Sequence, residues 1–224
     1  MPLQNRVDPF GAIRAVAARG LFTGNRGVIH DAARKALLAR RWTTKAWIVC
    51  YLVHPHGVKR EPMGRNAPSG GAGWTELFFL DEVTALAAGH RPCFYCRRDA
   101  AKAFQRCFAE GNGLGLPTAQ AMDLMLHRQR RAAGTTPLPI SGAEIRRLPD
   151  GAMITFGDRA FAMRGGALLP WSFAGYGGPA RSCRNLPEGA TLLTPSASVA
   201  ALKAGYRPVW HPSAEEGRPV NPPA

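Results

Sequence analysis

Two cysteines spaced as Cys-x-x-Cys, at Cys93 and Cys96, constrain the fold of this chain more than any other feature. Both thiols of such a pair can reach one metal ion, and the spacing is typical of zinc sites. Residues 74–80 form an apolar run of strand length, Asp81 is suited to cap a following helix, and a glycine then ends that helix. Residues 97–110 have helical periodicity with an apolar face. The sequence therefore predicts a strand, a helix, a zinc knuckle and a second helix, in that order.

The residues around this pair resemble the second half of the zinc-binding N-terminal domain of the Ada family of DNA methyl-phosphotriester repair proteins. The resemblance covers residues 74–98, and the matching positions are Phe78, Phe79, Ala87, Ala88, Gly89, Arg91, Pro92, Cys93, Cys96 and Arg97. That family binds zinc through four cysteines, one of which takes a methyl group from a DNA backbone phosphotriester. Its other cysteine pair is Cys-x-x-x-Cys on an upstream strand, where this chain has Cys50 followed four residues later by His54. The resemblance implies zinc as cofactor, DNA as partner and a zinc-activated thiolate as methyl acceptor.

The remaining metal ligands are expected on a long central strand predicted over residues 42–54, upstream of the knuckle. Cys50 and His54 share one face of this strand. In an extended strand, however, about 13 Å separates positions four residues apart, so both reach one ion only if the chain bends. The predicted ligand set is Cys93, Cys96, Cys50 and His54, and the further candidates, in order of preference, are His90, His30, His56 and Cys183. Four protein ligands would make the site structural, and three with a water would make it catalytic.

The charge of the chain indicates a polyanionic partner. The formal net charge is +14 and the isoelectric point is near 10.6, and nucleic acid is the commonest partner of such proteins. Residues 1–45 carry nine Lys or Arg against two Asp. We expect phosphate contacts near the knuckle and in this basic segment, and the resemblance implies DNA in preference to RNA as the partner. The candidate residues are Arg91, Arg97, Arg98, Arg26 and Arg19.

These features lead to three hypotheses about function. The first is a zinc-containing nucleic-acid-binding protein of DNA repair or modification, with Cys50 as a candidate catalytic residue. The second is a metal-dependent nuclease or other DNA-processing enzyme with a site near His30 and Asp31. The third is a non-catalytic scaffold that binds polyanions. A zinc deaminase is disfavoured because the chain contains no His-x-Glu sequence.

The rest of the chain predicts an α+β fold with three regions. Residues 1–133 would form the basic region with the zinc module, ending in a helix over 118–133. Residues 143–211 would form a small β-rich domain that begins with an antiparallel meander of three strands. Within it, residues 199–208 repeat residues 83–92 at seven of ten positions, but Val209 and Pro212 replace the two cysteines. This predicts a degenerate second strand-helix unit without metal. Residues 212–224 are predicted to be a disordered tail.

The cysteine count and the hydropathy pattern suggest a compartment. Five cysteines with one close pair do not indicate a disulfide framework, so a reducing environment is expected. The sequence has no apolar run long enough to span a bilayer and no signal-peptide core near residue 1. We therefore expect a cytoplasmic protein with no membrane partner.

Overall fold

The computed structural model describes residues 1–53, 57, 60–135, 138–183 and 188–216, which form an α+β protein. Within these ranges the helices are α1 (Glu82–Ala87), α2 (Arg98–Gly111), α3 (Ala119–Thr135), α4 (Gly142–Ile145), α5 (Ser196–Lys203) and α6 (Ser213–Glu216). The strands are β1 (Gln4–Val7), β2 (Ile13–Ala15), β3 (Phe22–Asn25), β4 (His30–Asp31), β5 (Ala36–Leu37), β6 (Ile48–Tyr51), β7 (Leu77–Phe79), β8 (Arg91–Pro92), β9 (Leu138–Pro139), β10 (Met153–Phe156), β11 (Arg159–Arg164), β12 (Ala167–Ser172), β13 (Gly175–Tyr176), β14 (Arg181–Ser182) and β15 (Ala190–Leu192). In this part of the chain, each helix is too short or too polar to cross a membrane.

The first sheet brings the upstream strand beside the knuckle. In the described residues its strand order is β2-β1-β7-β3-β6-β8. Strand β6 pairs antiparallel with β3 and parallel with β8, so Val49 lies opposite Pro92. The backbone N–H of Cys93 then donates to the Val49 carbonyl at 3.0 Å. These pairings place the residue after Val49 next to the first knuckle cysteine.

The predicted strand over residues 42–54 is much shorter in the structure. Among residues 42–53 only Ile48–Tyr51 forms a strand, and it pairs with a neighbour on each side. The preceding residues instead contact another loop, because the N–H groups of Thr43 and Thr44 both donate to the Arg26 carbonyl. The apolar composition of residues 42–54 does not show that Thr43 and Thr44 form backbone hydrogen bonds with another loop.

Helices α1 and α2 lie before and after the Cys-x-x-Cys segment. Asp81 caps α1, and its side chain accepts from the Thr84 N–H at 2.8 Å. Gly89 follows α1 with a φ of 81°, a left-handed conformation that glycine adopts without strain. Helix α2 buries Ala101 and Phe104, with Phe108 and Ala109 one turn further on.

The second sheet contains the predicted meander. Among the described residues its strand order is β13-β12-β11-β10-β15-β9, with β14 paired to β12, and all of its pairings are antiparallel. The two halves of the chain share their cores. One hydrophobic cluster joins Phe104 and Leu126 to Ala201 and Tyr206, and another joins α1 to β10, β11 and β12. The predicted boundary at 134–142 thus separates two kinds of secondary structure that pack on each other.

The internal repeat has a structural counterpart at the ends of α1 and α5. After α1, the N–H groups of Ala88, Gly89 and His90 donate to the carbonyls of Thr84, Leu86 and Ala85. After α5, the N–H groups of the equivalent residues 204, 205 and 206 donate to carbonyls at the equivalent positions 200, 202 and 201. Gly205 also has a positive φ, of 104°. The repeated sequence therefore encodes the same helix ending twice.

The tail prediction was wrong for its first residues. Residues 213–216 form α6, and Ala214 is fully buried in the cluster that contains Tyr176. The Ser213 hydroxyl accepts from the Tyr176 N–H at 2.9 Å, which fixes this segment to β13. Residues 217–224 lie outside the described residues.

Two fully buried carboxylates at the start of α1 join several parts of the fold. Glu82 accepts two bonds of 2.8 Å from the Arg97 guanidinium, and one of 2.6 Å from the Tyr206 hydroxyl. Asp81 accepts from the Tyr176 hydroxyl at 2.8 Å and from the His211 N–H at 3.1 Å. Burial raises the pKa of the Asp81 carboxyl, against the hydrogen bonds that lower it. The knuckle, the second repeat and the meander therefore meet at these two side chains.

We predict that Glu82→Gln lowers the free energy of unfolding by about 3 to 5 kcal/mol, because it leaves the Arg97 guanidinium buried without its counter-charge. Urea denaturation of the full chain measures this change. The matched control is Glu215→Gln, which removes an exposed carboxylate 3.6 Å from Arg164 and should have little effect. Equal, small effects of the two substitutions would contradict this account of the core.

Candidate metal centre

Three cysteines from separate parts of the first sheet converge at one point. Cys50 lies on β6, Cys93 directly follows β8, and Cys96 lies just before α2. Their Sγ atoms all lie within 4.8 Å of one another. Tetrahedral zinc with Zn–S bonds of about 2.3 Å places its sulfur ligands about 3.8 Å apart. Soft thiolates at this separation suit a soft divalent metal, so the donor set fits a metal site.

The three thiols shift one another's pKa values. Hydrogen bonds lower the pKa of Cys93 to about 2, and the bond with Cys50 has a larger effect than the bond with Cys96. The Tyr95 N–H donates a hydrogen bond to the Cys93 sulfur at 3.4 Å, which also stabilises its thiolate form. The pKa of Cys50 is raised. The largest cause is its hydrogen bond with Cys93, followed by the one with Cys96 and by burial. A bound cation would favour the deprotonated form of all three sulfurs.

The cysteines line a pocket of about 840 Å³. Its other walls include four aromatic side chains, which are Tyr51, Trp74, Phe78 and Tyr95. Tyr51 is 51% exposed and Tyr95 is 63% exposed. This volume is in the range of small-molecule and cofactor sites. The sulfurs thus face a space that admits a group of substrate size.

A buried carboxylate also lines this pocket. The Glu76 side chain accepts from Arg60 Nε at 2.9 Å, from the Met63 N–H at 3.0 Å and from Asn66 Nδ2 at 3.2 Å. The Arg60 guanidinium also stacks over Trp74, 4.4 Å from the ring centroid. This arrangement fixes part of the pocket wall, and no motif in the sequence predicted it.

The other predicted ligands do not join the cluster in the described residues. His90 is fully buried between the rings of Trp47 and Phe79, and its Nε2 is 3.3 Å from Arg26 Nε. Burial, followed by the nearby Arg26 charge, lowers the pKa of His90 well below its usual value. Cys183 lies in the separate hydrophobic cluster of the second sheet. His54 and His56 lie outside the described residues.

His30 and Asp31 serve local structure. The two ring nitrogens of His30 contact the Thr75 hydroxyl at 2.7 Å and the Gly64 carbonyl at 3.3 Å. The Asp31 carboxylate accepts from the N–H groups of Ala33 and Arg34, which lowers its pKa. Both nitrogens of His30 therefore already have partners, and neither has a lone pair directed at a metal.

Three of the five arginines predicted to contact nucleic acid are buried. Arg91 makes two bonds of 2.8 Å to Asp123, and Arg97 is held by Glu82. Arg26 is 2% exposed. In this conformation their guanidiniums face the interior, away from any phosphate at the surface. The sequence did not reveal the partners because Asp123 lies 32 residues from Arg91.

Arg98 and Arg19 remain exposed, as that prediction requires. Arg98 belongs to a row with Lys102 and Arg106, four residues apart along α2, and all three are exposed. Residues at this spacing lie on one helix face. A basic row therefore begins two residues after Cys96.

No protein-family model, curated protein or solved structure matches this chain. The fold and the cysteine cluster are therefore interpreted from their own geometry.

We predict that the purified chain holds a metal ion and that Cys50→Ser, Cys93→Ser or Cys96→Ser each removes it, because each loses one of three thiolate ligands. Elemental mass spectrometry of native protein measures the metal content. Cys107→Ser is the matched control, since Cys107 packs against the helical core and lies outside the cluster. Metal retained in the Cys50→Ser variant would separate the upstream strand from the site.

Proposed function

We propose that this chain is a zinc protein that binds nucleic acid, DNA in preference to RNA, and acts in its repair or modification. The observation that carries the proposal is the convergence of three cysteine sulfurs within 4.8 Å on the wall of a pocket of about 840 Å³. Cys-x-x-Cys followed by a helix is a frequent zinc arrangement, and the spatial addition of Cys50 supports it.

The ligand count bears on whether the centre is structural or reactive. Three thiolates occupy three corners of a tetrahedron, and the fourth corner is left for His54, for water or for substrate. When bound, zinc would keep the three sulfurs deprotonated near neutral pH. Because these sulfurs border an open pocket, we favour the reactive form of the centre.

The chemistry that such a centre supports is transfer of an alkyl group to sulfur. In this step a thiolate attacks the methyl carbon of a phosphotriester, a C–S bond forms, the C–O bond breaks, and the phosphodiester leaves as an anion. The sequence made Cys50 the candidate, whereas exposure favours Cys96, which is half-buried while Cys50 and Cys93 are buried. Cys96 is therefore the methyl acceptor that we propose.

The exposed basic row on α2 supports binding of a polyanion beside the centre. Arg98, Lys102 and Arg106 project from one face of a helix that starts directly after Cys96. The net charge of +14 provides a long-range field in addition. The proposed phosphate contacts are thus these three side chains, with Arg19 in the N-terminal basic segment.

The two alternatives have weaker support. A nuclease near His30 and Asp31 requires ligand atoms that are free for metal, and both ring nitrogens of His30 are already engaged. A polyanion-binding scaffold needs no pocket beside its cysteines. It would bind nucleic acid without methyl transfer to Cys96, and this separates it from the proposal.

We predict that combined Arg98→Gln, Lys102→Gln and Arg106→Gln weakens DNA binding and lowers the slope of log affinity against log salt by about 2 to 3, because three phosphate contacts are lost. Fluorescence anisotropy with DNA and RNA of one sequence, at several salt concentrations, measures both quantities. The matched control is Arg146→Gln, Arg147→Gln and Lys203→Gln, which removes the same charge from exposed positions elsewhere. Equal losses in the two triple variants would contradict a specific basic row.

We predict that incubation with DNA containing methyl phosphotriesters adds one methyl group to the peptide containing Cys96, because this thiolate faces the pocket and is the most exposed of the three. Peptide mass spectrometry locates the modification, with Cys107 as the internal control. An unmodified Cys96 in a zinc-loaded, DNA-binding protein would favour the scaffold.

We predict that His54→Ala alters the visible absorption of the cobalt-substituted protein if His54 completes the site, because the spectrum depends on the ligand set and its geometry. An unchanged spectrum would show that the fourth corner is open to solvent or substrate. His211→Ala is the matched control, since the His211 ring bonds Ser213 in another part of the fold.

A further inference from the structure

Two guanidiniums, that of the buried Arg26 and that of the partly buried Arg130, converge on one tryptophan away from the cysteine cluster. The Arg26 guanidinium carbon lies 3.9 Å from the centroid of the Trp47 ring, and that of Arg130 lies 4.1 Å from it. The imidazole of His90 lies against the same ring, with centroids 5.2 Å apart. Three basic side chains from distant parts of the sequence therefore share a small volume.

This cluster lacks a counter-ion among the described residues. Asp8, whose charge raises the pKa of Arg26, is itself paired with Arg14. Asp123, whose charge raises the pKa of Arg130, is held by both ends of Arg91. In the part of the chain that the structure describes, neither Arg26 nor Arg130 has a carboxylate oxygen within 4.0 Å.

Neutral contacts satisfy the two guanidiniums only in part. Arg26 donates to the Gly11 carbonyl at 2.9 Å and to His90 at 3.3 Å, and its Nη2 has no hydrogen-bond partner among the described residues. Arg130 donates to the carbonyls of Gly89 at 2.6 Å and Lys45 at 2.9 Å, and its Nε has no partner within the same residues. Each guanidinium therefore retains an unused donor in this part of the chain.

Burial of uncompensated positive charge is costly, and an anion would relieve that cost. Burial, and then the charge of Arg130, lowers the pKa of Arg26 to about 9. Burial lowers the pKa of Arg130 to about 10. Both side chains remain cationic at neutral pH, so the positive potential persists where it is least screened by solvent.

A second pocket, of about 410 Å³, opens beside this cluster. Arg130, Trp47 and Gly11 line it, and Arg26 lies directly behind Gly11, with Nη2 3.8 Å from where a Cβ on that glycine would stand. Much of the remaining wall is apolar and includes Phe10 and Leu192. The pocket thus has a cationic end and an apolar body, contributed by both sheets.

We propose that this pocket binds a small organic anion, a carboxylate or phosphate monoester carried on an apolar or aromatic body. The anionic group would lie against Arg130 at the edge of Trp47, in the field of Arg26 behind the wall. The apolar body would lie against Phe10 and Leu192. The site shares no lining residue with the cysteine pocket, so it does not depend on the proposed function.

Close packing around Arg130 explains why the site requires Gly89. A Cβ on Gly89 would come within 2.5 Å of Arg130 Cδ, and the positive φ of Gly89 disfavours any side chain there. The glycine that ends α1 therefore also leaves room for the guanidinium that lines the pocket.

The test uses the full chain and three probes that share one ring: benzoate, phenyl phosphate and the neutral benzamide. Isothermal titration calorimetry at low salt measures each affinity. We expect at least one anionic probe to bind about tenfold or more tightly than benzamide, because a hydrogen-bonded charge adds to the contacts of the ring. The tighter of benzoate and phenyl phosphate identifies the natural anionic group.

Arg130→Gln should abolish the preference for the anion, whereas Arg128→Gln, which removes an exposed cation from the same helix, should preserve it. Since Arg130 also bonds the backbone, a second variant leaves it intact. Leu138→Trp fills the pocket from its half-exposed rim and should weaken binding of all three probes. A Cys93→Ser variant should bind the anions normally.

Three results would overturn the proposal. The first is equal affinity for benzamide and for both anions. The second is an undiminished preference in folded Arg130→Gln protein. The third is no detectable binding of any probe at millimolar concentration.

Discussion

The fold depends on the buried ion pair between Glu82 and Arg97. Glu82 begins the helix before the knuckle and Arg97 immediately follows the second knuckle cysteine, so the pair closes the loop that carries both thiols. The Tyr206 hydroxyl and the Val209 N–H also donate hydrogen bonds to the Glu82 carboxylate. These bonds link the second repeat to the first. Good geometry and additional hydrogen bonds to the carboxylate offset the cost of burying such a pair. The position of Cys96 is therefore coupled to packing more than a hundred residues away in the sequence.

Burial of arginine changes how the basic character of this protein should be understood. Arg91, Arg97 and Arg26 contribute to a net charge of +14, yet the structure uses two of them in internal ion pairs and the third beside Trp47. A guanidinium that donates two parallel hydrogen bonds to a buried carboxylate cannot use the same pair of N–H groups to bind a phosphate. The exposed row on α2 and the exposed cations of the N-terminal segment, by contrast, face solvent.

The cysteine pocket and the second pocket are distinct in chemistry and in place. The first combines soft sulfur donors with aromatic walls, which suits a metal and a flat or alkylated group. The second combines uncompensated guanidiniums with apolar walls, which suits an organic anion. Residues of β6, including Cys50, line the first pocket, and Trp47, which precedes β6, lines the second. Neighbouring residues of the chain therefore contribute to the two candidate sites.

The sequence by itself determined the features that depend on short spacings. The Asp81 cap, the glycine after α1, the knuckle, α2 and the three-strand meander all follow from residues within a few positions of each other, where local hydrogen bonds decide the outcome. Tertiary structure alone decided which residues join across the chain. It brought Cys50 to the knuckle through parallel pairing of β6 with β8, placed three arginines inside, and gave His30 and His90 other partners. These outcomes depend on strand pairing and burial between distant segments, and the spacing of residues along a chain carries no direct record of either.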